Sequence, residues 1–307
     1  MEQFKQKLLE LLQKILGDEY VLDIMLVTKA NDTRLEALTV RKSSNSCAIN
    51  IYLQGYFSQY QDGREMEYII ADILNTIKKE KANTERINSD FCLLEKLSHY
   101  EDIKEFLMLR AMNTDKNKEY LKNVVKESTG LDIDLYLYLN LHLFPNASGY
   151  INVSRTLSDL WNVSDEELIH QAKENMQKYM PYEFTSMFQI LMEAKHPLPE
   201  NISGNNMNLY VLTNQNRTFG ASCLFYDGLL KKLSQDLDTL YFAILPSSIH
   251  ETILLPVSSI DSEMNHFPSM VKDVNMNVLS AEEFLSDNVY YYDSNMDTIQ
   301  IYEEMED

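Results

Sequence analysis

From Leu131 to Leu143 the chain alternates without a break. Leu or Ile stands at every odd position, with Asp132, Asp134, Tyr136, Tyr138, Asn140 and His142 between them. Successive side chains of a strand point to opposite faces, so the spacing predicts a long strand with one wholly apolar face in a core. The other face carries two carboxylates, two phenols, an amide and an imidazole. It is left for water, a partner or a ligand, and Tyr136, Tyr138 and His142 are its binding candidates. A turn over Asn146 to Gly149 and a returning strand from Tyr150 to Ser154 complete a hairpin.

Helical spacing takes over elsewhere. Phe4, Leu8, Leu11, Leu12, Ile15 and Leu16 predict a first helix that stops at Gly17. Tyr20 to Thr28 and Leu35 to Val40 predict strands around a turn at Asn31-Asp32. Ala48 to Tyr60 is rich in β-branched and aromatic residues and predicts an extended segment. Met66, Ile69, Ile70, Ile73, Leu74 and Ile77 then share one helical face. Lys78 to Arg86 is charged and polar and is the candidate boundary, and residues 90–127 read as helical. Two full capping boxes with hydrophobic staples, Val163-Ser164 with Glu167-Leu168 and Leu279-Ser280 with Glu283-Phe284, predict helix starts.

In the last third, Leu209 to Thr213 and Phe219 to Tyr226 predict a hairpin whose turn begins at Asn214. Asp227 is then the expected cap of a helix carrying Leu229, Leu230, Leu233 and Leu237. Strands over Leu240 to Leu245 and Thr252 to Val257 flank the sequence Pro246-Ser-Ser-Ile-His-Glu251. A helical patch near Met264 to Val274 and a final hairpin, Val289 to Tyr292 with Thr298 to Tyr302, close the chain. The predicted class is α+β, with mixed, mainly antiparallel sheets and amphipathic helices packed on one face. Segments 1–86 (an α+β subdomain), 87–200 (helical, with the long-strand hairpin) and 201–307 (α+β) are expected to form two packed subdomains.

Charge narrows the choice of partner. The net charge is −20, and residues 261–307 hold twelve Asp or Glu against Lys272 alone. Such a field repels phosphate backbones, so direct nucleic-acid binding is not expected; a basic protein partner or a nucleic-acid mimic fits instead. The three cysteines, Cys47, Cys92 and Cys223, are odd in number and widely spaced, as reduced thiols of a cytoplasmic protein would be. The charged N-terminus does not read as a signal peptide, and no apolar run is long enough for a membrane helix.

Chemistry is sparse. Ser247, Ser248, His250 and Glu251 are the parts of a hydrolytic triad, yet triads are assembled in space and no Gly-x-Ser-x-Gly elbow occurs. A turn in which the serines satisfy backbone groups explains them more simply. His142 lies ten and eight residues from Asp132 and Asp134, about 27–33 Å along a strand, so they cannot share a metal. No metal or cofactor is expected. Asn214 and Asp227 join Tyr136, Tyr138 and His142 as binding candidates. The expected function is a non-catalytic interaction protein with an acidic C-terminal surface; a hydrolase centred on the His250 turn is the alternative, and a nucleic-acid mimic the second.

Several segments together are similar to an uncharacterised family of Firmicutes, notably gut Clostridia: the domain-of-unknown-function family numbered 5688. They include Ile51-Tyr52-Leu53 with Tyr56-Phe57 and Tyr60, Met112-Asn113 with Lys116-Asn117-Lys118, and Leu131-Asp132-Ile133. Further matches are Trp161 to Leu168 with Ala172, Glu174 and Asn175, Tyr210 to Asn214 with Gly220-Ala221, and Leu245 to Glu251 with Leu255-Pro256. Leu285 to Asp287 with Val289-Tyr290 completes the set, and Gly130 stands where a bulkier residue is expected. The resemblance implies an intracellular bacterial setting and brings no activity with it.

Overall fold

The computed structural model describes residues 1–43, 48–89, 96–143, 149–193 and 208–303. The chain divides into two compact units: the first comprises Met1–Glu95, and the second Lys96–Phe144 and Ser148–Asp307. The fold is α+β, with three antiparallel sheets. Among the described residues no helix is long and apolar enough to cross a membrane.

The first unit packs α1 (Glu2–Leu16), α2 (Gln54–Gln61) and α3 (Met66–Ser89) with the sheet β1 (Tyr20–Thr28), β2 (Arg34–Lys42), β3 (Ala48–Tyr52). Phe4, Leu8 and Leu12 of α1 meet Leu38, Val40 and Ile51 of the sheet and Met66, Ile69, Ile73 and Ile77 of α3 in one core. The helical stripe of α1 is narrower than its apolar spacing implies, because Ile15 near its end is 56% exposed. The expected extended run to Tyr60 is corrected: only Ala48–Tyr52 is strand, and α2 follows. Phe57 and Tyr60 lie one helical turn apart, and both rings contact Phe4, at 5.5 and 5.2 Å.

In the second unit the alternating segment forms β6 (Ile133–Asn140), ending in a three-ten turn over Leu141–Leu143. The strand β4 (Leu107–Asn113) pairs along one side of β6. The other side is shared end to end by β5 (Lys126–Ser128) and β7 (Tyr150–Asn152). Both edges of β6 are paired and both of its faces are buried. Its leucine row is dry as expected, but its polar face is not open to water: Tyr136 and Tyr138 are 1% and 0% exposed. The helical expectation for 90–127 is corrected by β4, whose residues Leu107-Met-Leu-Arg-Ala-Met-Asn113 carry a buried strand.

The second sheet of this unit runs β13 (Thr298–Ile301), β12 (Tyr290–Asp293), β10 (Tyr241–Ser248), β11 (Glu251–Val257), β9 (Tyr210–Asn214), β8 (Tyr182–Ser186). Here β8, which sequence spacing does not reveal, takes the place expected for Phe219 to Tyr226. With β11 on one side and β8 on the other, β9 has no free edge, and Gly220–Phe225 folds into a three-ten turn. The helices α4 (Asp165–Tyr179), α5 (Leu229–Asp236) and α6 (Phe267–Asn277) carry the remaining apolar stripes.

The two capping boxes part company. Ser164 caps α4 by accepting from the Glu167 N–H at 3.2 Å. Ser280 donates to the Glu283 carboxylate at 2.8 Å, but only a turn forms there, so the expected helix is corrected. The Glu283 carbonyl, which a helix would use internally, accepts instead from Ile249 N–H at 2.9 Å, and the Ser286 carbonyl from Asn275. Asp227 is not the cap of α5 either: the cap position is Gly228, at φ +70°, without a side-chain bond.

Candidate functional site

The face of β6 expected to meet water meets an arginine instead. Arg110 of β4 stands directly opposite Tyr136. Its guanidinium carbon lies over the rings of Tyr136, Phe219 and Tyr138 at 4.6, 4.5 and 5.6 Å. A cation desolvated against aromatic faces gains about 2 kcal/mol, well short of the several kcal/mol lost on leaving water. Offsetting that loss normally takes a carboxylate, and Arg110 has none among the described residues. Its Nη2 donates to Asn152 Oδ1 at 2.9 Å, and its Nε is buried and unpaired. Burial accordingly holds the guanidinium below its usual pKa. The Tyr120 hydroxyl faces Arg110 and Asn152 without reaching hydrogen-bond geometry, and burial raises its pKa.

The aromatic side chains form a connected cluster. Tyr120 meets Tyr136 edge-on at 5.7 Å, and Tyr138 meets both Tyr150 and Phe219, at 5.6 and 5.8 Å. Tyr150 touches Phe219 at 5.1 Å and His142 at 5.0 Å, and Phe219 stacks on His250 at 5.6 Å. The cluster runs from dry to wet: Tyr136 and Tyr138 are buried, Arg110 and Phe219 half-buried, and Tyr150 is 40% exposed, with His142 and Asn152 also at the surface.

Phe219 is held in place by the loop before it and by the turn beside it. Asn214 ties that loop down, accepting from Asn216 N–H at 3.0 Å and donating to the Thr218 carbonyl at 2.8 Å. Phe219 itself has φ +56°, a conformation disfavoured for a bulky side chain, and its N–H donates to His250 Nδ1 at 3.1 Å. Gly220 follows between strands, where Thr213 Oγ1 donates to the His250 carbonyl at 2.8 Å. The His250 turn is thus a clamp on the Phe219 loop.

The candidates named from sequence divide clearly. Tyr136 and Tyr138 lie against Arg110 and His250 against Phe219, while His142 joins the cluster only through Tyr150, and Asn214 stands one step behind. Ser247 and Ser248 serve the turn: Ser248 Oγ accepts from His250 N–H at 3.0 Å, and Ser247 Oγ reaches Glu251 at 3.4 Å. No hydrogen bond joins the His250 imidazole to either serine hydroxyl or to Glu251 among the described residues. Asp227 is exposed and lines a separate cleft of about 370 Å³ with Glu127, Lys173 and Asp297. Among the described residues no group of three His, Cys, Asp or Glu could hold a metal ion.

Of the polar residues of the alternating segment, Asp134 within β6 and Asp132 just before it are absorbed by structure. Asp132 accepts from Tyr290 Oη at 2.6 Å and Ser286 Oγ at 2.7 Å, and Asp134 pairs with Lys126. Sequence reasoning missed Arg110, Tyr120, Tyr150 and Phe219. One signal was present: Arg110 is the sole charged residue in the run from Leu107 to Asn113.

The sequence model of a family of unknown function (DUF5688) matches residues 1–294. No curated protein and no solved structure matches the chain.

Proposed function

We propose, for a chain that belongs to this family of unknown function, DUF5688, a non-catalytic binding protein that takes a small anion at Arg110. The observation that carries this reading is a half-buried guanidinium, ringed by aromatic faces and without a carboxylate among the described residues, in a protein with twenty more acidic than basic side chains. A chain so rich in Asp and Glu had many ways to neutralise Arg110. Leaving it unneutralised suits a ligand that brings its own negative charge.

Catalysis at the His250 turn has less support, because Nδ1 is occupied by a backbone N–H and the serines serve the turn. The acidic C-terminal region remains a surface for a basic protein partner, but many of its carboxylates have local duties. Glu263 accepts from Ser258 and Ser259, Asp287 from Asn275, Asp293 from Asn295 and Asp297 from Tyr292. A bacterial cytoplasm suits the protein, since Cys223 is a buried free thiol. The test is ligand-observed NMR with a panel of small anions against the protein and Arg110→Gln. Hits that need Arg110 and are recovered chemically unchanged support the proposal; hits indifferent to the substitution, or consumed in the tube, contradict it.

A further inference from the structure

We infer that the anion taken at Arg110 is an aromatic carboxylate carrying a single negative charge. The inference rests on the binding role proposed above and adds the chemical class of the ligand.

Three features of the site argue for one charge and a flat ring. First, among the described residues Arg110 is the one cation of the cluster without a carboxylate, since Lys126, opposite Tyr136 on β5, is paired with Asp134. Phosphate dianions are held by several donors, commonly more than one cationic side chain or a series of backbone N–H groups. Here the other members are phenols, a phenyl ring, imidazoles and one amide, and the net charge of −20 disfavours a second negative charge. A carboxylate matches one guanidinium edge.

Second, the guanidinium carbon lies over the rings of Tyr136 and Phe219 at 4.6 and 4.5 Å, so its approachable part is the edge that carries the Nη atoms. Nη2 is engaged by Asn152, and Nη1 has no protein partner among the described residues. Asn152 is itself exposed, which puts this edge of the guanidinium at the mouth of the cluster. A carboxylate meeting this edge lies close to the guanidinium plane, and its attached group projects outward.

Third, the outward direction is lined by rings rather than by polar groups. Tyr150 is the hub, in contact with Tyr138, His142 and Phe219, and 40% of it faces solvent. Its neighbours meet it at steep interplanar angles of 60–73°, leaving ring area uncovered. An aromatic group gains both apolar burial and ring–ring contact there; an aliphatic or hydroxylated one gains less.

The probes are benzoate, acetate, inorganic phosphate and benzyl alcohol, titrated into the full chain with binding followed by chemical-shift perturbation. Benzoate is expected to bind about tenfold or more tightly than acetate or phosphate, as one aromatic contact plus its burial provides. Benzyl alcohol, with the ring but no charge, is expected to show no saturable binding. Tyr150→Ala, at an exposed position, is expected to bring benzoate down to the level of acetate without unfolding the protein. Equal binding of acetate and benzoate, or tighter binding of phosphate, would overturn the aromatic carboxylate while leaving an anion site at Arg110. Failure of every anion to bind, or benzoate binding unchanged in Arg110→Gln, would overturn the site itself.

Discussion

A Cβ built on Gly220 would stand 2.6 Å from the His250 carbonyl oxygen and 2.7 Å from Asn214 N, and would also meet Thr213 Oγ1. Two of these neighbours are backbone atoms of a paired strand and its adjoining turn, which cannot step aside cheaply. Gly220→Ala is therefore expected to lower the unfolding free energy by about 2–3 kcal/mol, measured by urea denaturation, the usual cost of overpacking a rigid site. The same substitution should displace Phe219 from Arg110. His250 is the second anchor of that loop: its imidazole accepts the Phe219 N–H, and its backbone carbonyl accepts from Thr213. Its role here is mechanical, because a residue at φ +56° persists only where its surroundings over-determine it.

At the scale of elements, the two capping boxes provide a matched pair. Ser164→Ala removes a bond to the free N–H of Glu167 and is expected to cost about 1 kcal/mol in chemical denaturation. Ser280→Ala removes only an exposed bond to a carboxylate and is expected to stay within about 0.5 kcal/mol of the parent. Equal losses would show that both boxes start helices in solution. Local sequence is identical in kind at the two places; the difference is tertiary, since Ile249 and Asn275 capture the carbonyls that would have propagated the second helix. The same limit separates what was legible elsewhere. The leucine row of β6, the hairpin β1–β2 and the stripe of α3 each follow from a period within one segment. The fate of Phe219 to Tyr226 depended on β8, more than thirty residues away, and no period in either segment records it. For the candidate site the residue types on β6 were legible, and Tyr136, Tyr138 and His142 were singled out. Arg110 and Phe219 were not, because their meaning comes only from strand register and from a backbone angle.

At the scale of the whole molecule, the buried phenols and the thiol set the response to alkali. Burial raises the Cys223 thiol from its ordinary 9.0 to about 12, and raises Tyr138, Tyr226 and Tyr290 above the usual value of 10. Each group keeps its proton in the folded chain and gives it up on unfolding. Their contribution is therefore fully present below about pH 9 and is lost as pH climbs toward 12. The slope is about 1.4 kcal/mol per pH unit for each group that ionises only on unfolding. The urea midpoint is expected to fall steadily above pH 9, and Cys223→Ala is expected to flatten the first part of that fall, between pH 9 and 10. A midpoint constant to pH 10.5 would show that these groups reach solvent in the folded state.

The charge on Arg110 brings these scales together. Desolvation of an ion costs several kcal/mol, against about 2 kcal/mol from ring contacts and roughly 1.5–3 kcal/mol from one charge-assisted bond. A residue that contributes so little to stability is kept for another purpose. The direct measurement is the unfolding free energy of Arg110→Met, with no anion added, beside that of the parent chain. Met fills the space between the rings without charge, so the variant is expected to be as stable as the parent or more stable by about 1–2 kcal/mol. A loss of more than about 2 kcal/mol would make Arg110 a structural support and contradict its assignment as a binding group.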